Sequence, residues 1–247
     1  MEYGEWVPQY GRIQREFGFD FAREEVAAAR LTGLLPRPRP ADPLAPVAER
    51  LKGRDVVVVG LAPRSAAPPL WMLPASAKPP AIVAADGATQ RCLEAGLVPD
   101  VIVTDLDGPV PSEVSANARG SLVVVHAHGD NLAAVDRWVP EFSGPIVGSW
   151  AGPPTPTLLD VGGFTDGDRS AFLAEHVGAS RVLLWGFDFA DADEVADPIR
   201  DRKLSKLLWA RELLGWLARR TRTPILIWRP DGTLEPYGDA GTGPSTQ

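Results

Sequence analysis

Cysteine is nearly absent. Cys92 stands alone, so no intrachain disulfide can form, and the chain suits a reducing cytoplasm. It lies in a predicted helix among alanine, leucine and glutamine, where a thiol is a small core residue; as a nucleophile it has no base beside it. No apolar run approaches the ~20 residues of a membrane span. The opening Met1-Glu2-Tyr3-Gly4-Glu5-Trp6 lacks the basic start and apolar stretch of a signal peptide, so a cytoplasmic protein is expected. Basic stripes are missing too. With a net charge of −7 the chain has no phosphate-tracking surface for nucleic acid. It also lacks a Gly-x-x-x-x-Gly-Lys-Ser/Thr loop, which excludes a Walker-type kinase. Histidines are His126, His128 and His176 alone, too few for a closed zinc site without other ligands.

What the chain does have is a repeated apolar run followed by a polar cluster. Across 247 residues, 45% hydrophobic, there is material for a full core. Val56-Val57-Val58-Val59 is a short, wholly apolar strand of the kind covered on both faces. Further strands fit 81–85, 100–104, 121–126, 145–149, 181–186 and 224–228, with helices near 88–96, 130–138, 166–178 and 201–220. The last carries Leu204, Leu207, Leu208, Leu214 and Leu217 on one face. This alternation predicts an α/β fold with a doubly wound, mostly parallel sheet over residues 51–237. Residues 1–50 read as an N-terminal helical appendage, with a helix from Asp20 to about Leu34. A stiff extended connector then holds Pro36, Pro38, Pro40, Pro43 and Pro46. The appendage also offers a contact for a homodimer. Residues 62–80 and 187–200 read as loops, and the tail 238–247 as disordered.

Parallel sheets bind ligands at the carboxyl ends of their strands, and the polar clusters fall there. Asp86-Gly87-Ala88-Thr89 follows the 81–85 run, where it either holds a ligand group or caps the next helix. Asp105 and Asp107 follow the next strand; in extended chain residues i and i+2 point the same way, so both carboxylates can face one ion. Mg²⁺ suits such oxygen ligands, although Asp-Gly is also a common turn pair. Two carboxylates about 4 Å apart repel by roughly 4 kcal/mol at an effective dielectric of 20, which a divalent cation relieves. His126 and His128 with Asp130 and Asn131 either bind a metal or hydrogen-bond a substrate or phosphate, and Asp130 also suits a helix cap. Gly162 and Gly163 allow close backbone approach before a helix opening at Thr165 or Asp166, a natural anion site. Asp166 and Asp168 then add metal ligands and Arg169 a phosphate contact, or the acids simply favour the helix dipole. Asp188 follows the 181–186 strand. Lys203 and Lys206 reach phosphates or form a solvated face, and Trp150 stacks on a flat ring or on the core.

Taken together, five stretches resemble the archaeal 6-hydroxymethyl-7,8-dihydropterin pyrophosphokinase family, related in fold to thiamine pyrophosphokinase. They are Ala85-Asp86-Gly87-Ala88-Thr89, Thr104-Asp105-Leu106-Asp107-Gly108, His126-Ala127-His128-Gly129-Asp130-Asn131, Gly163-Phe164-Thr165-Asp166-Gly167-Asp168-Arg169 and Gly186-Phe187-Asp188-Phe189. They occur in the family's order over roughly residues 55–220. The resemblance implies a Rossmann-like sheet, ATP and a reduced pterin as small-molecule substrates, and Mg²⁺. It implies metal ligation by Asp105, Asp107 and Asp166, and catalytic roles for these with Asp168 and Arg169. Thr165-Asp166-x-x-Arg169 matches the Thr-Asp-x-x-Lys element of the thiamine enzymes. The chain departs at Gly60-Leu61-Ala62-Pro63-Arg64-Ser65, where Ala62 replaces a glycine of the family's phosphate turn and Arg64 is placed to compensate. Ser149-Trp150 departs too. Thiamine is the nearest competing acceptor. A nucleotide-sugar glycosyltransferase and a silent nucleotide-binding module are rivals, but the former leaves the Gly-Gly-Phe-Thr-Asp segment unexplained. The motifs do not separate folate from methanopterin synthesis.

Overall fold

The computed structural model describes residues 3–62, 66–73, 78–189 and 198–238. The Pro63–Ser65 turn with Arg64, the loop around 191–197 and the tail from 239 lie outside the described residues. Helices α1 (Tyr3–Phe17), α2 (Phe21–Leu34) and α3 (Ala45–Leu51) come first. Strand β1 (Asp55–Val59) follows, then β2 (Ala81–Ala85), α4 (Ala88–Glu94), β3 (Val101–Thr104), α5 (Val110–Ala118), β4 (Leu122–Ala127) and α6 (Leu132–Trp138). Strands β5 (Ile146–Trp150) and β6 (Leu158–Leu159) precede α7 (Asp166–His176), and β7 (Arg181–Trp185) precedes the long α8 (Pro198–Arg220). Strands β8 (Ile225–Trp228) and β9 (Leu234–Pro236) close the fold.

The strands form one sheet in the order β6-β5-β4-β3-β2-β1-β7-β8-β9. Every neighbouring pair is parallel except β8 with β9. The chain walks outward from β1 to β6, then returns beneath the sheet through α7 to lay β7 on β1's other side. Burial on both faces explains the unbroken valine runs. Val56, Val58, Val83, Val103 and Val124 face a core shared with α1, α3, α7 and α8, whereas Val57, Ala84, Ile102 and Val125 face the opposite cores with α2, α4, α5 and α6. The predicted doubly wound, mostly parallel sheet is therefore the observed one. No helix among the described residues is long and apolar enough to cross a membrane.

The N-terminal segment grips both faces of this sheet. Trp6, Tyr10 and Ile13 of α1 enter the first core, with Trp6 edge-on to Phe172 at 6.0 Å. Ala27, Ala28 and Leu31 of α2 enter the core on the opposite face. The link between them therefore has to round the sheet, and Gly18, Phe19 and Asp20 do so beside Gly129 and Asp130, just past the carboxyl end of β4. The predicted helix from Asp20 is present, and the Asp20 side chain accepts from the Ala22 N–H at 3.0 Å as its cap. One expectation needs correction: the proline-rich stretch is not extended to its end. Pro46 stands in the first turn of α3, where its missing N–H costs nothing.

Ile13 is fully buried, so Ile13→Ala should lower unfolding free energy by about 3 kcal/mol through lost transfer and cavity terms. Urea denaturation measures this, and a loss below about 1 kcal/mol would show that α1 is not part of the cooperative unit.

Candidate active site

Adjacent parallel strands β2, β3 and β4 end at the same edge, and their last residues hand over to the acidic and histidine clusters. One carboxylate oxygen from each of Asp86, Asp105 and Asp107 lies within 4.8 Å of the others. The reason differs from the one expected for Asp105 and Asp107. The segment between them is not extended: Leu106 has φ 68°, in the left-handed region, and its N–H bonds the Thr104 hydroxyl at 2.9 Å. Asp86 is also left-handed, at φ 42°. Such backbone costs on the order of 1–3 kcal/mol per residue and persists where surroundings enforce it. Here the Leu106 side chain is buried in the α2–α5–α6 core, which pins the turn and presents both aspartates outward. Gly108 completes the arrangement, because a Cβ there would overlap the Asp86 carboxylate. Gly87 lies under Leu61, and Thr89 is fully buried in α4 with its hydroxyl unpartnered among the described residues.

The electrostatics of this trio suit a cation. Burial, then the charges of Asp105 and Asp86, push Asp107 up to about 6. Burial also raises Asp105, but the His128 ring and neighbouring groups outweigh it and hold Asp105 below the ordinary value. Asp105 Oδ1 is buried without a hydrogen-bond partner among the described residues. Hard, mutually repelling oxygens with an orphaned lone pair fit Mg²⁺. The trio contains Asp86, expected as a substrate contact, in place of Asp166. Asp166 opens α7 just outside it, and burial followed by the charge of Asp105 raises its carboxyl well above the usual range. Lys206 of α8 is half-buried, and its ammonium lowers both Asp105 and Asp107.

The histidines have assignable roles. The Asp130 N–H donates to His128 Nδ1 at 3.3 Å, so the proton sits on Nε2, which faces Asp105 Oδ2 at 3.5 Å. His126 is buried, and its Nδ1 shares a hydrogen bond with Ser149 Oγ at 3.1 Å. Burial, then Arg169, holds the ring well below its usual pKa. Asn131 fastens the site: Nδ2 donates to the carbonyls of Asp105 at 2.8 Å and His126 at 2.7 Å, tying β3's end to β4's. Asp130 is exposed and pairs with Arg23 of α2 at 3.3 Å, outside the trio. Asp188 lies elsewhere, in a groove between α1, α8 and the β8–β9 hairpin.

The Gly162–Arg169 segment is built differently from the expectation. Both glycines are left-handed, at φ 82° and 88°, and a Cβ on Gly163 would overlap the backbone of Arg169. The close approach they allow is thus to their own helix. Asp168 is buried and accepts from the N–H groups of Thr165 and Phe164, both at 2.7 Å, and from the Thr165 hydroxyl, a capping box. Arg169 donates to the carbonyls of Gly163 at 2.9 Å and Phe164 at 3.0 Å. Asp168 and Arg169 hold the loop, and Thr165 caps the helix that presents Asp166.

Other site residues escaped the sequence reading. Glu113 is fully buried in α5, one turn from Val110 on the apolar face, and burial, then the charge of Asp86, pushes it up to about 9. Glu24 occupies the same kind of position in α2, with Ala27, Ala28 and Leu31 at i+3, i+4 and i+7. An acid in an apolar helical stripe was the available signal. Asp160, which follows β6, is pushed up to about 7 by burial.

Comparison with known proteins agrees with this geometry. The family model described as "6-hydroxymethylpterin diphosphokinase MptE-like" matches residues 38–194. The chain belongs to that family. Curated relatives named 6-hydroxymethyl-7,8-dihydropterin pyrophosphokinase are 38% identical over 237 residues in Methanothermobacter thermautotrophicus, covering 92% of this chain and 100% of that protein. The Pyrococcus furiosus relative is 38% identical over 238 residues, covering 92% and 98%. The Methanocaldococcus jannaschii relative is 34% identical over 246 residues, covering 92% and 100%. The expected membership of this family therefore holds, and the relatives align over 92% of the chain.

Gly108→Ala has no backbone penalty from a left-handed φ, yet its methyl must displace the Asp86 carboxylate. Calorimetric titration should show at least a tenfold loss of Mg²⁺ affinity with the melting temperature little changed; wild-type affinity would separate Asp86 from the cation site. A second expectation concerns pH. Glu113 and Asp160, with folded values of about 9 and about 7, hold protons that the unfolded chain has released, so stability falls as pH rises. In EDTA the melting temperature should drop between about pH 6.5 and pH 8; below that window protonation of His126 in the unfolded chain opposes the trend. A flat or rising profile would contradict protonated Glu113 and Asp160.

Proposed function

We propose that the protein is a cytoplasmic enzyme that transfers diphosphate from ATP to the hydroxymethyl group of 6-hydroxymethyl-7,8-dihydropterin, giving AMP and the pterin diphosphate for folate or methanopterin synthesis. The observation that carries this is the Asp86–Asp105–Asp107 trio beside a neutral His126, in a chain of the 6-hydroxymethylpterin diphosphokinase family. Mg²⁺ held by the trio would neutralise phosphate charge and orient the diphosphate.

The protein's own groups supply positioning and proton transfer. Such transfers need little covalent chemistry from protein; they need in-line geometry and charge neutralisation. The pterin alcohol attacks the β-phosphorus, and the bond from that phosphorus to the α–β bridging oxygen breaks, leaving on AMP. His126, held neutral by burial, is suited to take the alcohol proton. The Nε2–H of His128 holds Asp105 in orientation. Lys206 brings a positive charge to the same edge, and Asp166 at the start of α7 faces the trio's field.

Asp105→Asn should keep the fold and lower turnover by at least a hundredfold, since one ligand of a charge-neutralising ion is worth several kcal/mol at the transition state. Phosphorus NMR of the wild-type reaction should show AMP and a doubly phosphorylated pterin formed together. ADP with a singly phosphorylated pterin, or no pterin-dependent ATP consumption, would overturn the reading.

A further inference from the structure

The transfer needs one more cation than the trio's ion supplies. As the bond from the β-phosphorus to the bridging oxygen breaks, its electron pair collects on the departing AMP, and a divalent ion on three aspartates is already offset by its own ligands. Among the described residues, the arginines near this edge are engaged elsewhere. Arg169 gives both terminal nitrogens to the carbonyls of Gly163 and Phe164. Arg23 pairs with Asp130 at 3.3 Å, and Arg91 donates to the Ala62 carbonyl at 3.0 Å. Arg202 lies over the rings of Phe17 and Phe19, at 5.5 and 5.7 Å.

Lys206 differs from all of these. It is half-buried in α8 and makes no hydrogen bond or ion pair among the described residues. Its place is fixed by contacts on either side of it. Helix α8 links the carboxyl end of β7 to the start of its parallel neighbour β8, so its first turns begin at the edge that holds the site. One turn before Lys206, Arg202 covers Phe17 and Phe19, and both rings lie against Phe164 in the loop that leads to Asp166, at 5.0 and 6.0 Å. One residue before it, Ser205 lines a groove with Phe187, the ring that a Cβ on Gly167 would meet at 3.0 Å. Both neighbours thus lead to the first turn of α7, where Asp166 stands beside the trio. From there the ammonium acts on Asp105 and Asp107 alike. A cation that acts on two carboxylates and bonds neither is free to bond an anion brought to them.

We propose that Lys206 is a catalytic residue of the transfer: its ammonium contacts a non-bridging phosphate oxygen of the nucleotide placed over the trio and stabilises the charge that builds as AMP departs. Lys206 stays protonated throughout. The alcohol proton goes to His126, and the electron pair of the broken bond stays on the AMP oxygen. This rests on the transfer reaction proposed above and adds to it the cation that the leaving group needs. It also gives α8 a part in the chemistry.

The competing use of Lys206 is as a counter-ion that only offsets repulsion within the trio. The two differ once Mg²⁺ is saturating. Under either, loss of the ammonium leaves the carboxylates more negative, so Lys206→Met should bind Mg²⁺ alone at least as tightly as wild type. Only a phosphate contact makes the same variant slow. The test compares the full chain as wild type, Lys206→Met, Lys206→Arg and Lys203→Met, the last at an exposed position of the same helix. Calorimetry titrates Mg²⁺ alone, and kinetics use saturating ATP, Mg²⁺ and 6-hydroxymethyl-7,8-dihydropterin. Lys206→Met should lower kcat about a hundredfold, as when one preorganised donor to a transition-state charge is removed, with the pterin KM little changed. Lys206→Arg, which returns the charge, should recover at least about tenfold of that loss, and Lys203→Met should keep the wild-type kcat. Wild-type kcat in Lys206→Met would overturn the proposal and leave Lys206 a counter-ion. A weakened Mg²⁺ affinity together with a lowered melting temperature would also overturn it, since that marks a structural loss. Should Lys206→Met not fold, Lys206→Gln is read in the same way. Failure of the transfer reading is distinct: the wild type then forms no AMP with pterin present, whereas failure of the Lys206 assignment leaves AMP formation in the variant at the wild-type rate.

Discussion

Repulsion among carboxylates is the constraint around which this molecule is organised. Asp86, Asp105 and Asp107 would separate if the backbone allowed it. It does not, because two residues are held in left-handed conformations and a glycine leaves room for one carboxylate to lie against the chain. The restraint is ultimately apolar: the Leu106 side chain is locked in a core shared by three helices. Parallel strand ends supply the convergence, and burial of Leu106 supplies the force that keeps like charges together. Burial, and after it the charge of Asp86 on Glu113 and of Asp105 on Asp166, pushes both neighbouring carboxyls up, so the site presents its charge on the aspartates nearest the edge.

Much of this was legible in the residues because burial leaves a plain signature. A strand covered on both faces must be apolar throughout, so the valine runs announced the parallel sheet. The polar residue that ends each run marked the carboxyl edge. Elements that break their own local rules were hidden. Helix α1 carries Pro8 and glycines that mask its periodicity, and it is held by tertiary contacts of Trp6, Tyr10 and Ile13. Helices α3 and α5 each begin with a proline in the first turn, next to residues that read as connector or turn. Strands β6 and β9 are too short to show a pattern.

Within the site, residue type was easier to read than residue role. The Gly-Gly-Phe-Thr-Asp-Gly-Asp-Arg segment has the composition of a phosphate cradle, yet Asp168 and Arg169 are turned onto the loop's own backbone. Sequence cannot separate these uses, since a helix N-terminus offers the same free N–H groups to a ligand and to its own cap. Asp86 was readable as a functional residue, but its membership of the trio depends on a left-handed φ that only the folded chain reveals.

Asn131 carries a liability that its neighbours do not. Its amide nitrogen joins the carbonyl oxygens at the ends of two strands, so the geometry of Asp105 relative to His126 hangs on a single –NH₂ group. Hydrolytic deamidation would exchange that donor for an oxygen and set a carboxylate against two carbonyls, with a further negative charge at an edge already crowded with them. The fold would survive in its cores while the strand ends parted. For this molecule the chemistry of protein ageing has a defined target, and shelf life and catalytic competence meet at one side chain.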